Sequence, residues 1–131
     1  MRAVRTLLVA TLIVTLAGCA AAVVGAALGA GAGYTWFNGN LQDTLARPLP
    51  AVERATRQAL HDLELVGIHG RADRLKGKLK ARMADGTRVT VWLKAVDFET
   101  TDIRIRVGTL GDRAASEQIL RKIRGRLGLG R

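Results

Sequence analysis

Few side chains in this sequence could carry chemistry, and their spacing says little for catalysis. Cys19 is the sole cysteine, so no disulfide can close within the chain. His61 and His69 are the only histidines, and no Cys, Asp or Glu recurs near them at the spacing of a metal site. They read as exposed, with His61 and Asp62 a pair on a helix surface. Asp97, Glu99 and Asp102 cluster in a strand connection. Neighbouring carboxylates can do acid–base work or hold a cation, but a solvated turn has the same composition. Ser116 is the only serine and has no histidine beside it to act as its base. Gly108-x-x-Gly111 ahead of a helix has the outline of an anion site, because helix N-termini attract anions. No Gly-Lys-Ser/Thr follows, however, and Asp112 puts negative charge where a phosphate would sit. The sequence is therefore read as non-enzymatic, with no catalytic residues, no metal and no bound cofactor.

Cys19 has a different context. Arg2 and Arg5 precede an apolar run beginning at Leu7, and the run closes on the small residues of Leu16-Ala17-Gly18. A charged start, an apolar stretch and a small-residue cleavage point make a secretory signal. Leu16-Ala17-Gly18-Cys19 resembles a bacterial lipobox. That resemblance implies cleavage before Cys19, covalent lipid on its thiol and amine, and a membrane-tethered lipoprotein. Ala20 follows, without the acidic residue that retains many Gram-negative lipoproteins at the inner membrane. The implied location is the outer membrane, facing the periplasm. The expected divisions are a signal at 1–18, a lipidated tether or membrane-associated segment at 19–33, and one domain at 34–128.

Gly25, Gly29 and Gly33 recur every four residues in an Ala/Val/Leu/Gly stretch. In a helix they would share a face and permit close packing in lipid, as in a glycine zipper. After cleavage only about 15 apolar residues remain, fewer than the roughly 20 needed to span a bilayer. A flexible tether and a packed helix both fit.

The chain has 21 Lys and Arg against 11 Asp and Glu, a formal charge of +10. Without Arg2 and Arg5 the mature form carries +8, from 19 against 11. Such an excess favours anionic partners. In an exported protein these are membrane lipid, lipopolysaccharide, an anionic envelope polymer or glycan, or an acidic envelope protein, rather than nucleic acid. Solubility alone is the other reading of the charge.

The elements that must position these residues follow from periodicity. Tyr34, Trp36 and Phe37 lie just outside the apolar stretch, which suits a bilayer interface; alternatively, and compatibly with that, they begin the first strand, with Tyr34 and Trp36 on one face and Phe37 on the other. Asn38-Gly39-Asn40 is read as a turn or as a bulge within an extended segment running on to Leu45. Pro50 opens a helix whose apolar stripe is Val52, Ala55, Ala59 and Leu63. Its end is expected near Leu65, with Gly67 as the stop. From Val66 to Val107 the period changes to two, with a hairpin at Asp85-Gly86; Val66 to His69 is a candidate short strand whose alternation is brief. A last helix begins after Asp112 and carries Ser116, Ile119, Leu120, Ile123 and Leu127, with Gly128 and Gly130 fraying its end. The expected fold is α+β: an antiparallel sheet of three to four strands with two helices on one face, in the order β-α-β-β-β-α. Alternation places Lys78, Lys80, Arg82, Arg88, Trp92, Lys94, Arg104 and Arg106 on the polar face, a candidate anionic-ligand surface. A wet face with splayed cations is the plain alternative.

The order of elements and their residues resemble a family of small bacterial lipoproteins of unknown function. The residues that carry this are the lipobox, Tyr34-x-x-x-x-Gly39-x-Leu41, the Ala84-Asp85-Gly86 hairpin, Ile105-Arg106-Val107-Gly108-Thr109-Leu110-Gly111-Asp112, and Ser116 with Ile119-Leu120 and Ile123. The resemblance implies no activity and no site residue beyond the lipidated Cys19. The functional expectation is a lipid-anchored envelope protein serving as a structural or interaction module. Anionic binding through the basic face and zipper-mediated assembly are the alternatives.

Overall fold

The computed structural model describes residues 33–130. The expected signal, Cys19, Gly25 and Gly29 lie outside them. Six strands form one antiparallel sheet: β1 (Thr35–Phe37), β2 (Asn40–Leu45), β3 (Val66–Ala72), β4 (Lys76–Arg82), β5 (Arg88–Ala95) and β6 (Thr101–Val107). Their spatial order is β1-β2-β6-β5-β4-β3. Two helices, α1 (Leu49–Asp62) and α2 (Arg113–Arg126), complete the domain. The α+β class is as expected, but the strand count is six and the order is β-β-α-β-β-β-β-α.

Both extra strands have a local cause. Asn38 and Gly39 take φ of 49° and 74°, the left-handed pair that a two-residue hairpin turn demands. Phe37 therefore pairs with Asn40, and the extended segment is a hairpin rather than a bulged strand. At the other edge β3 runs for seven residues, most of them exposed. This edge strand is only partly covered: Ile68 and Ala72 pack against the core, but two glycines and an irregular register between Val66 and His69 blur its alternation.

Burial follows a period of two in the four central strands. Leu41, Leu45, Leu79, Val89, Val91, Leu93, Ile103, Ile105 and Val107 are all within 2% of full burial. They face Val52, Ala59 and Leu60 of α1 and Ile119, Leu120 and Ile123 of α2. The α1 helix packs over β3, β4 and β5, α2 packs over β2 and β6, and the helices touch each other. Truncating one such Leu or Ile to Ala costs about 2–5 kcal/mol.

The two helices end in the same motif with different residues. In α1 the Leu65 N–H donates to the Leu60 carbonyl at 3.0 Å and the Glu64 N–H to that of His61 at 2.9 Å. This is a Schellman cap, and it ends the helix at Asp62, before Leu65 and Gly67. Glu64 holds the left-handed position at φ 60°, where a side chain is strained. In α2 the Leu129 N–H donates to the Arg124 carbonyl at 2.9 Å and Gly128 to Gly125 at 3.2 Å. Gly128, at φ 68°, thus caps the helix rather than fraying it. Asp112 starts it, its Oδ1 accepting from the Ala115 N–H at 3.0 Å.

Candidate functional site

The sheet has one covered face and one open face, and the open face gathers the candidate residues. Strand pairing aligns them in rows. Arg104 lies opposite Trp92, and Trp92 opposite Lys78, which lies opposite Arg71. The Arg104 guanidinium and the Lys78 ammonium sit 5.3 Å and 5.5 Å from the Trp92 ring centre. Both lie within cation–π range. A second row joins Lys94 to Lys76, and a third joins Arg88 to Arg82.

The register brings all eight sequence-predicted residues to this face and adds Arg71 and Lys76. The strands thus present nine cations there and one acid, Asp102, which accepts a hydrogen bond from Thr44 Oγ1 at 2.7 Å. Lys76 was detectable, because it continues the alternation of Lys78, Lys80 and Arg82 by one step. Arg71 was not, because it belongs to the edge strand.

Three cross-strand pairs on this face are like-charged: Arg71/Lys78, Lys76/Lys94 and Arg82/Arg88. Like charges directly opposite each other destabilise a sheet. The five ion pairs among the described residues lie elsewhere, in Glu53/Arg57, Glu117/Arg113, Glu117/Arg121, Asp43/Arg124 and Asp62/Arg126. None relieves the open face.

Arg106 differs from the other cations. Its guanidinium donates to the Asn38 carbonyl at 3.2 Å and to the Thr109 carbonyl. It bridges the β1–β2 turn and the β6–α2 loop. The two segments meet backbone to backbone: a Cβ at Gly39 would lie 2.4 Å from the Leu110 carbonyl oxygen, and one at Gly111 would lie 2.2 Å from that of Gly39. Alternation alone makes Arg106 a surface charge, since carbonyl partners leave no trace in side-chain type.

The covered face holds the opposite electrostatic arrangement. Asp43, between Leu41 and Leu45, is buried with Arg124 of α2, and Arg124 Nη1 donates to Asp43 Oδ2 at 2.5 Å. The Thr44 N–H donates to Oδ1 at 2.8 Å. Burial pushes the Asp43 carboxyl above its ordinary range, offset in part by the Thr44 N–H and Arg124. At the helix ends Arg126 Nε donates to Asp62 Oδ2 at 2.8 Å, and Arg126 holds the Asp62 carboxyl below its ordinary range.

The remaining candidates do not converge. His61 and His69 are exposed, and His69 Nδ1 lies 2.6 Å from the Gly67 carbonyl oxygen. Asp97 Oδ1 accepts the Glu99 N–H at 2.8 Å, which shapes the turn. Ser116 is buried, its hydroxyl donating to the Asp112 carbonyl at 2.7 Å. Thr87, Val107 and Gly108 to Asp112 line an open depression of about 340 Å³, where the Asp112 carboxylate already occupies the helix N-terminus. Gly33 is outside any helix, with open space around its Cα. Among the described residues no group of three His, Cys, Asp or Glu could hold a metal, and no helix is long and apolar enough to cross a membrane.

Residues 2–126 match a family described as "Protein of unknown function (DUF3568)". The chain belongs to the DUF3568 family. None of the curated proteins matches it. For this DUF3568 protein, the glycine contact and the Arg106 bridge give a structural reason for Gly39, Arg106 and Gly111, residues that marked the resemblance seen in the sequence.

Proposed function

We propose that this DUF3568 protein is a lipid-anchored cell-envelope module that binds an anionic partner through the open face of its sheet. The observation that carries the binding role is the set of three like-charged cross-strand pairs in a field of nine cations, where a single acid, Asp102 opposite Lys94, offsets only one of them. Repulsion of this kind costs stability in the free protein, and a bound polyanion removes it by supplying the missing charge. Trp92, flanked by Lys78 and Arg104, adds an apolar surface at the centre of the field.

The anchor reading rests on Cys19, the sole cysteine, at the end of the apolar run. Acylation gives its thiol a purpose that no metal partner, base or disulfide mate in the sequence supplies. The module acts without catalysis, from the periplasmic side of the outer membrane.

Two measurements test the parts separately. Intact mass of the membrane-fraction protein is expected to show cleavage before Cys19 and added acyl chains; retained Met1 or an unmodified Cys19 would refute the anchor. Binding of inorganic polyphosphate is expected to fall steeply with salt and to weaken at least about tenfold in Lys80→Glu/Arg82→Glu/Arg88→Glu. These three are chosen because Arg106 holds two turns. Unchanged, salt-insensitive binding would refute the open face as the site.

A further inference from the structure

The open face has features beyond charge that narrow its partner. It is a sheet surface about 24 Å across five strand intervals, and the depression lined by Thr87 and the β6–α2 loop lies off it. Phe37 lies on this face at its β1 margin and is 63% exposed. Trp92 lies near the middle. Tryptophan concentrates at membrane–water interfaces, and phenylalanine recurs on the apolar side of segments that lie in them. By contrast, Trp36 points to the helix-covered side and packs against the core.

Chain direction gives a third, independent observation. β1 is an edge strand, and residues 19–33 lead directly into it. Thr35 pairs with Gln42, and Thr44 with Asp102. The chain therefore enters at the margin of this face, on the side of the Asp102–Lys94–Lys76 row. A segment held in lipid at Cys19 leads to the strand bordering the cationic plane.

We infer that the open face of the sheet docks flat on an anionic phospholipid bilayer, with Trp92 and Phe37 at the interface and the surrounding Lys and Arg on lipid phosphates. This deepens the reading of the open face as an anion-binding surface and rests on it. Basic clusters beside a membrane attachment gain affinity for anionic lipid with each added charge, and a membrane anchor added to such a patch makes a two-signal attachment.

The test uses the full-length protein with vesicles of phosphatidylcholine, alone or mixed with phosphatidylglycerol, each carrying brominated acyl chains. Flotation reports attachment, and quenching of tryptophan fluorescence reports the docked face. Docking is expected to quench strongly only when phosphatidylglycerol is present. Quenching should be lost in Trp92→Phe, which leaves Trp36 as a reference on the other face. It should be relieved at about 1 M salt, where the screening length is about 3 Å. The Lys80→Glu/Arg82→Glu/Arg88→Glu variant, which keeps the Trp92 surroundings, should lose the quenching with unchanged far-ultraviolet circular dichroism.

Flotation with both vesicle types but equal or no quenching would overturn the docking and leave the anchor standing. Flotation with phosphatidylglycerol vesicles alone, with Trp92 quenched, would support the docking and count against the anchor. Binding of polyphosphate without quenching by either vesicle would overturn the bilayer and assign the face to a soluble polymer. Loss of polyphosphate binding as well would remove the anion-binding reading itself.

Discussion

The two faces of one sheet treat charge in opposite ways. On the covered face a single carboxylate, Asp43, is buried with a single guanidinium, Arg124, at 2.5 Å. On the open face nine cations share the surface with one acid, and cations stand directly opposite cations. The same strands supply both faces by alternation, so the contrast is not one of composition. The covered face gathers charges that complete each other, and the open face leaves most of its cations without an acid opposite them.

Removing one partner of the buried pair provides the largest expected effect. Arg124→Met or Asp43→Ala should cost about 3–5 kcal/mol, because each strands a buried charge. Asp43→Leu with Arg124→Met should recover much of that loss, as apolar replacements of buried pairs often do. Urea unfolding measures both. A single variant as stable as wild type would erase the contrast between the faces.

The pair also sets a pH dependence. Burial raises the Asp43 carboxyl above its ordinary value, so the folded state holds that proton more tightly than the unfolded chain. Stability from this group is present at low pH and falls as pH rises from the ordinary carboxylate range through the raised value. Subtracting the unfolding profile of Asp43→Asn should isolate this downward slope. An upward slope would mean that the ion pair outweighs burial.

Gly111→Ala comes next. The added methyl would meet a carbonyl oxygen at 2.2 Å in a backbone at φ 87°, and left-handed strain alone costs about 1–2 kcal/mol. A total loss of at least about 2 kcal/mol is expected, measured by the thermal midpoint. Glu64→Gly runs the other way. It relieves left-handed strain in the α1 cap and should add about 1 kcal/mol. A loss would show that the Glu64 side chain matters more than its backbone.

The smallest expected change is the most diagnostic of the open face. Arg88→Glu converts a repulsive Arg82/Arg88 pair into an attractive one and should stabilise the free protein by about 0.2–1 kcal/mol. The same change should weaken polyphosphate binding. Opposite signs in the two measurements would sharpen the comparison between the faces; a variant less stable and equally well bound would break it.

Most of the architecture was legible where one face of an element is buried. Val89, Val91 and Leu93, then Ile103, Ile105 and Val107, alternate because helices cover them on one side only. The edge strands were harder. β1 has three residues, too few for a pattern, and β3 puts only Ile68 and Ala72 against the core, with Gly67 and Gly70 interrupting its alternation. The eight candidate surface residues followed from alternation, but Arg71 fell with β3. Asp43 carried an available clue, since its spacing from Leu41 and Leu45 puts it on the core side. Its partner Arg124 stands 81 residues away, and no local pattern joins them.

The hairpin at the start of the domain has a mechanical consequence. Any pull on the chain ahead of Tyr34 loads β1 first, and β1 is held to the sheet by only three residue pairs. Two contacts brace it. The Tyr34 hydroxyl interacts electrostatically with Glu117 of α2, and the Asn38–Gly39 turn is wedged against Leu110 and Gly111 under the Arg106 bridge. Tension along β1 would be shared with α2 and with the loop ahead of it, so the glycine contact spreads over two elements a load that would otherwise fall on one short strand.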